Sequence, residues 1–355
     1  MNERGLGGRE TALLNLGIEW AKQGHEVICF VPTEKPYFKG YPDASLFLNG
    51  SLRLVNYKFC VDYIANFGAD ILVSWEEPRI FGVKEIRDNI KFGIIEMQVA
   101  NMQTTPELDS VTDAYAVLSQ WAGEYLSLQE PNIDTDKIVV FPNGVDLARY
   151  GKDIPEKTLG DRMHFHYSSS PDRGLVHLLN MWPRIRKEFP GSVLHVCYGI
   201  EHWIQHVRWG HNMQAEMALD IEKKLRQDGV VYHGKVGQKK LASIQKSSNA
   251  LLYPCDTVQP TETGCITVVE AGAAYAPSII TNADCLGSEF GETAAVTSLP
   301  LDYDEYIESI VQVCGDQEVY EQYQHLGRQL AESRSWSKIA LDWLNLFNLA
   351  VNARN

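Results

Sequence analysis

At 355 residues the chain is long enough for two domains of ordinary size, each with its own core. With 45% hydrophobic and 22% charged residues it has the balance of a soluble globular protein, and no apolar run approaches the ~18 residues of a membrane span. A formal net charge of −14 argues against a nucleic-acid backbone as the main partner and against broad adhesion to anionic lipid, leaving at most peripheral membrane contact, although a local patch can still hold a phosphate.

The N-terminus MNERGLGG lacks the charged-then-apolar pattern of a secretory leader. The seven cysteines, at 29, 60, 197, 255, 265, 285 and 314, form no CxxC pair and read as reduced thiols in a cytoplasmic protein. Residues 11–23 place Leu13, Leu14, Leu16, Ile18, Trp20 and Ala21 at helical spacing, and Gly24 supplies the stop. The strand GHEVICFVP follows. A helix entered from a Gly-rich loop and followed by a buried strand is half of a βαβ unit. Further buried strands are predicted at 70–74, 92–96, 114–118 and 138–141, with helices between them, which means a doubly wound sheet. In such a sheet the Gly-rich loop hangs from the end of a first, central strand. Only Met1 to Arg4 precede Gly5, so this strand is expected to lie outside the numbered residues, or the sheet to be filled in another way.

PNGVD at 142–146 closes the first half with turn chemistry, and residues 147–161, with Gly151, Pro155 and Gly160, lose periodicity. The domain boundary is placed there, with a first domain of 1–150 and a second of 151–334. The alternation restarts with strands at 163–169, 192–199, 230–234, 250–254 and 278–282. Helices are predicted at 175–187, 202–228, 239–247 and 262–274, and two more at 303–314 and 317–334 close the domain. The final SWSKIALDWLNLFNLAV is amphipathic, with Trp336, Ile339, Trp343, Leu346 and Phe347 on one side. The predicted fold class is α/β, with two Rossmann-like doubly wound domains.

Within the second domain, Glu262 is followed by seven residues and then Glu270. Glu270 is a lone carboxylate in a helix of small and apolar residues, a position that asks for a polar partner. Glu262 is expected at the mouth of the same helix, where the N–H groups of Thr263 and Gly264 are free to meet an anion. Eight helical residues span about 12 Å at about 1.5 Å each, roughly the reach from a nucleotide's ribose to a sugar on its diphosphate. An ordinary helix with one capping acid and one core-edge acid would produce the same spacing.

Together, GLGGRE at 5–10, PNGVD at 142–146, SSSPDRG at 168–174, YHGKV at 232–236, the E-x7-E pair and the closing SWSKIALDWLNLF resemble the family-4 retaining glycosyltransferases of the GT-B fold. The resemblance covers nearly the whole chain. It implies two Rossmann-like domains facing a cleft, a nucleotide-sugar donor of UDP or GDP type on the C-terminal domain, and a glycan or lipid-linked acceptor on the N-terminal one. A last helix, 335–355, crosses back to the first domain. The resemblance further implies that Glu270 accepts hydrogen bonds from the ribose hydroxyls and that Glu262 contacts the transferred hexose-type sugar. The backbone of Thr263, Gly264, Cys265 and Ile266 then lines sugar and diphosphate, and Arg173 grips the diphosphate. Backbone at Lys235 and Val236 lies near the base, and Gly7 and Gly8 approach the donor from the first domain. Where the family has its other arginine the chain carries Ser168, Ser169 and Ser170, and Lys235, Lys239 and Lys240 are the cations available to substitute. The family's acceptor-side histidine has no match among Met97, Gln98 and Gln103, and same-face substitution, with the departing phosphate oxygen taking the acceptor proton, requires no base. No cofactor or metal is implied. A catalytically silent nucleotide-sugar-binding protein of the same fold is the alternative.

Other signals carry less. GLGG lacks the third glycine of a dinucleotide fingerprint, because position 10 is Glu. The triplets Asp134-Thr135-Asp136 and Asp302-Tyr303-Asp304 read as solvated surface charge. His202, His206 and His211 have no Cys or acid to complete a zinc site. His164 and His166 alternate on one strand face, where they pack or hydrogen-bond. A phosphorylase on the same architecture would need a pyridoxal-phosphate lysine, and none stands in a recognisable setting.

Overall fold

The computed structural model describes residues 7–32, 51–98, 103–157, 159–201, 204, 212–256 and 260–354, with only the backbone given at 212–215. The histidines and tryptophans at 202–211, and Met1 to Leu6, lie outside them. The chain divides into two compact units: a flanking unit, Gly7–Gly144 with Ser335–Asn355, and a central unit, Val145–Arg334. The change of unit falls at Gly144, six residues ahead of the expected position 150. PNGVD explains the shift, since the Asp146 carboxylate accepts from the Ala148 N–H and opens a short 3-10 turn over Leu147–Arg149 within the central unit. The ends of the central unit meet, with the Val145 N–H donating to the Arg334 carbonyl at 2.8 Å.

In the flanking unit α1 spans Gly8–Lys22, with Gly24 in the left-handed region (φ +95°) just after it. The strands β1 (Val27–Val31) and β2 (Leu52–Asn56) form a parallel pair. A second parallel sheet holds β3 (Ala69–Trp75), β4 (Ile90–Met97), β5 (Ala114–Val117) and β6 (Ile138–Val140), in that order. Short helices α2 (Cys60–Phe67), α3 (Lys84–Arg87), α4 (Pro106–Ser110) and α5 (Gln120–Gln129) connect them. β2 was not foreseen, whereas every residue of β5 is buried, as a strand covered on both faces requires.

The central unit has one sheet of six parallel strands: β7 (His164–Tyr167), β8 (Val193–Val196), β9 (Val230–Tyr232), β10 (Ala250–Tyr253), β11 (Ser278–Thr281) and β12 (Ala295–Thr297). Its helices are α6 (Leu175–Glu188), α7 (Asn212–Lys224), α8 (Gln238–Ser247), α9 (Ile266–Ala273), α10 (Leu286–Phe290), α11 (Tyr303–Gly315) and α12 (Gln317–Ser333). Trp182, Tyr167, Phe165, Tyr253 and Tyr306 are fully buried in its core. The small residues of α9 have a packing cause: a Cβ on Gly272 would come within 2.3 Å of the Gly327 carbonyl oxygen of α12.

The last helix, α13 (Trp336–Asn352), belongs to the flanking unit. Its buried stripe of Trp336, Ile339, Trp343 and Phe347 follows helical spacing, and Trp343 lies edge-on to Trp20 at 5.8 Å and stacks on Phe141 at 4.4 Å. Both DxD triplets are helix caps, with Asp134 accepting from the Asp136 N–H and Asp302 from the N–H groups of Asp304 and Glu305.

One acid of the flanking unit is out of place for a core strand. Glu96 of β4 is 2% exposed, and burial pushes its carboxyl up to about 8, against the lowering effect of a hydrogen bond from Gln98. Because the folded protein holds this proton and the unfolded chain does not, the contribution to stability is complete below about 4.5 and is lost as pH rises through about 8. Thermal melts from pH 5 to 9 should therefore show wild type losing Tm relative to Glu96→Gln as pH rises. A constant difference between the two would contradict the assignment.

Candidate functional site

The strand order of the central sheet, β12-β11-β10-β7-β8-β9, reverses between β7 and β10. In an open parallel sheet the loops beyond the carboxyl ends of the two strands at such a reversal are where ligands bind. SSSPDRG follows β7, and the segment 254–265 follows β10. Gly174 is what lets these loops meet: it sits at φ +90°, and a Cβ there would lie 1.8 Å from the Pro254 carbonyl oxygen.

Across this reversal Arg173 and Glu262 form an ion pair through Nη1 and Oε1, and Arg173 Nη2 also donates to the Thr261 carbonyl at 3.3 Å. Glu262 is 1% exposed and accepts from the Tyr253 hydroxyl at 2.7 Å, which lies 3.0 Å from Ser169 Oγ. Burial, the largest single influence, would lower the Arg173 guanidinium, but the charge of Glu262 together with Tyr253, Asp172 and Cys265 holds the group above its ordinary value. Arg173 Nε is buried and has no hydrogen-bond partner among the described residues. A charged donor without an acceptor is costly unless something else supplies one.

The second glutamate stands in an adjoining network. Glu270, 6% exposed, accepts from Gln245 Nε2 at 3.2 Å, and Gln245 Oε1 in turn accepts from the Tyr150 hydroxyl at 2.7 Å. Burial raises the Glu270 carboxyl, while the Gln245 bond and the charge of Arg149 act to lower it. Ser168 Oγ bonds Thr267 Oγ1 and lies 3.5 Å from Gln245 Nε2, so the serines carried in place of a second arginine tie β7 to α9.

The placement of Glu262 corrects the expected helix. α9 begins at Ile266, with Cys265 at its N-cap, so Glu262 is in the preceding loop and only Ile266 to Glu270 of the interval is helical. Its position is fixed by Asp284, a non-glycine residue at φ +49°, whose Oδ2 accepts from the N–H groups of Thr261 and Glu262, both at 2.9 Å. Thr263 and Gly264 each take part in an interaction within the chain. Lys235 and Val236 follow β9, where Lys235 packs beside Gly199 at the end of β8. Gly7 is the N-cap of α1 in the flanking unit and Gly8 its first residue, and Arg9 beside them pairs with Glu76. Sequence reasoning missed Tyr253, Gln245, Tyr150 and Asp284; Tyr253 closes the strand β10, where its hydroxyl gave no signal distinct from the apolar run.

The histidines of β7 part company. His166 is fully buried with neither ring nitrogen partnered among the described residues, and burial lowers it to about 3. His164 bonds His195 at 3.0 Å, and His195 bonds His233 at 2.9 Å, a chain from β7 through β8 to the residue after β9. All seven cysteines are free. Among the described residues no group of side chains could hold a metal ion, and no helix is long and apolar enough to cross a membrane.

Residues 164–330 match the family model described as glycosyl transferases group 1. The central unit therefore carries a glycosyltransferase group 1 domain, and the chain has the GT-B fold. Among solved structures it is similar to the sucrose-phosphate synthase (tll1590) from Thermosynechococcus elongatus, with 17% identity, 99% of this chain and 96% of that one covered, and a TM-score of 0.75. A glycosyltransferase from Rickettsia africae ESF-5 is 13% identical, with 97% and 95% covered and a TM-score of 0.72. Anabaena Alr3699/HepE, in complex with UDP and glucose, is 11% identical, with 98% of each chain covered and a TM-score of 0.70. No curated protein matches the chain.

Proposed function

We propose that the protein is a retaining, metal-independent glycosyltransferase that moves a hexose-type sugar from a nucleoside diphosphate donor, of UDP or GDP type, to a hydroxyl of a glycan or lipid-linked acceptor. The observation that carries this reading is Arg173: a guanidinium at the sheet's reversal point, held by Glu262, with its buried Nε lacking an acceptor among the described residues. A diphosphate oxygen supplies that acceptor, and the same positive charge stabilises the leaving group as its negative charge develops. A related fold that binds UDP and glucose supports the ligand class.

In this reading Glu270 accepts hydrogen bonds from the ribose hydroxyls, and Glu262 orients hydroxyls of the transferred sugar. The backbone of Thr263, Gly264, Cys265 and Ile266 lines the sugar and diphosphate, and that of Lys235 and Val236 the base. The departing phosphate oxygen takes the acceptor proton, so retention needs no side-chain base.

Donor-dependent release of nucleoside diphosphate, followed across a panel of donors with the product anomer read by NMR, tests the proposal. Turnover with retention, undiminished by EDTA, is the expected result. Binding without turnover or donor hydrolysis over a broad acceptor set would favour the silent binding protein, the alternative to which Ser168–Ser170 lend weight by replacing a cation. Since a hydrogen bond to a charged group contributes about 1.5–3 kcal/mol, Glu270→Ala should weaken nucleotide binding about ten- to a hundred-fold by calorimetry. An unchanged Kd would refute the ribose assignment.

A further inference from the structure

At the carboxyl ends of β8 and β9 stands a further acid, Glu201, exposed in the segment after β8. Its Oε1 accepts from the Tyr232 hydroxyl at 2.9 Å, and that hydroxyl accepts from the Ile200 N–H at 3.0 Å. One tyrosine at the end of β9 thus pins both the acid and the backbone beside it. Burial pushes the Tyr232 hydroxyl up to about 12, which keeps it protonated and donating. Glu201 Oε2 has no hydrogen-bond partner among the described residues.

Two glycines make room for this carboxylate. A Cβ on Gly199 would come within 2.8 Å of Glu201 Oε2, 3.1 Å of Lys235 Cβ and 3.5 Å of the Lys235 nitrogen. Gly234, at φ +65°, would place a Cβ 3.8 Å from Glu201 Oε1. Glycine at 199 leaves bare backbone against which the carboxylate and the start of Lys235–Val236 are both laid. Neither Lys235 nor Val236 donates its N–H to a described residue.

We infer that this corner reads the donor's base and that the base is guanine, with Glu201 as the specificity-determining residue. The choice rests on Arg173 holding a donor diphosphate, as proposed above. Position follows from the sheet: β7, β8 and β9 are neighbours, and at about 4.8 Å per strand the end of β9 lies about 10 Å from that of β7. A nucleotide with its diphosphate at Arg173 and its ribose between therefore carries its base to β8 and β9. Base identity follows from the acid. An ionised carboxylate accepts hydrogen bonds through two oxygens and donates none. Among the common bases, guanine alone places two donors side by side, N1–H and its exocyclic amino group, and the adjacent O6 suits an N–H of Lys235 or Val236. Uracil offers one N–H between two carbonyl oxygens, and adenine an amino group beside a bare ring nitrogen. Each would set an acceptor against the acid, which acts as a repulsive element.

Calorimetric titration of the 355-residue chain with GDP, inosine diphosphate, UDP and ADP tests this. Inosine diphosphate is GDP without the exocyclic amino group, so it removes one donor and nothing else. GDP should bind about ten- to a hundred-fold more tightly than inosine diphosphate, the loss of one hydrogen bond to a charged acceptor, and at least about ten-fold more tightly than UDP or ADP. These ratios need no variant to fold. Glu201→Gln keeps the side chain's size but turns one oxygen into a donor, and should abolish most of the difference between GDP and inosine diphosphate. A purely structural Glu201 would instead weaken every nucleotide alike and leave the ratios unchanged, which would overturn the inference. Equal binding of GDP and inosine diphosphate to the unmodified chain would do the same. Preference for UDP or ADP would remove guanine while leaving the nucleotide-donor reading intact, whereas binding of none of them would overturn that reading and the base assignment with it.

Discussion

Arg173→Ala should lower nucleoside diphosphate release at saturating donor by about 10²–10³-fold, the cost of removing one charged donor from a developing anion. The loss has two parts, and the structure says how to separate them. Glu262 is 1% exposed, and its cation is Arg173. Truncating one member of a buried pair leaves an uncompensated charge, at about 3–5 kcal/mol. The single variant should therefore also melt early. Adding Glu262→Gln removes the stranded charge while leaving an acceptor for the Tyr253 hydroxyl, so the double variant should regain most of the Tm and none of the turnover. Arg173→Lys keeps the charge but not the fork, and should fall between. If turnover returned together with Tm in the double variant, the guanidinium would be a structural brace and the leaving-group role would fail.

Gly174→Ala should be the most damaging single methyl in the central unit. Gly174 begins α6 at φ +90°, where a Cβ costs about 1–2 kcal/mol by itself. Here it would also meet the Pro254 carbonyl oxygen at 1.8 Å and its carbon at 2.5 Å, backbone that cannot rotate away. Relief requires the loops after β7 and β10 to part, which pulls Arg173 from Glu262. A destabilisation of about 3–5 kcal/mol, or roughly 10 °C in Tm, is expected for a unit of this size. Nucleotide titration at 10 °C, where the variant is still folded, should show binding weakened at least ten-fold. A Tm within 2 °C of wild type would show that the loops have slack which the geometry denies.

The features legible in the sequence were those governed by local periodicity. The stripe of Trp336, Ile339, Trp343 and Phe347 repeats at helical spacing, β5 and β10 are buried at every residue, and β4 and β11 carry apolar centres, as strands largely covered on both faces require. Short elements escaped: β12 has three residues, and in β2 Arg53 and Asn56 dilute an otherwise apolar run. Within the site, the acids could be named because a carboxylate among Ala, Val and Gly is conspicuous. Their partners could not. Gln245 reaches Glu270 across 25 positions and Asp284 reaches Glu262 across 22, and nothing in either residue's neighbourhood marks it as more than a helix surface amide or a turn acid. Taking Glu262 as helical was a fault of the same kind, since only the bonds from Thr261 and Glu262 to Asp284 show that the loop is held before α9 begins.

The hydrogen bond from Val145 to Arg334 closes the central unit on itself, whereas the flanking unit is assembled from both ends of the chain. On a ribosome this inverts the usual order of maturation. The central unit is complete in sequence once Arg334 has emerged, and its two ends can clasp at once. The flanking unit, although its first residues are made earliest, leaves Trp20 and Phe141 without Trp343 until α13 arrives. Trp20 and Phe141 thus wait, their aromatic surface uncovered, while the whole of the central unit is made.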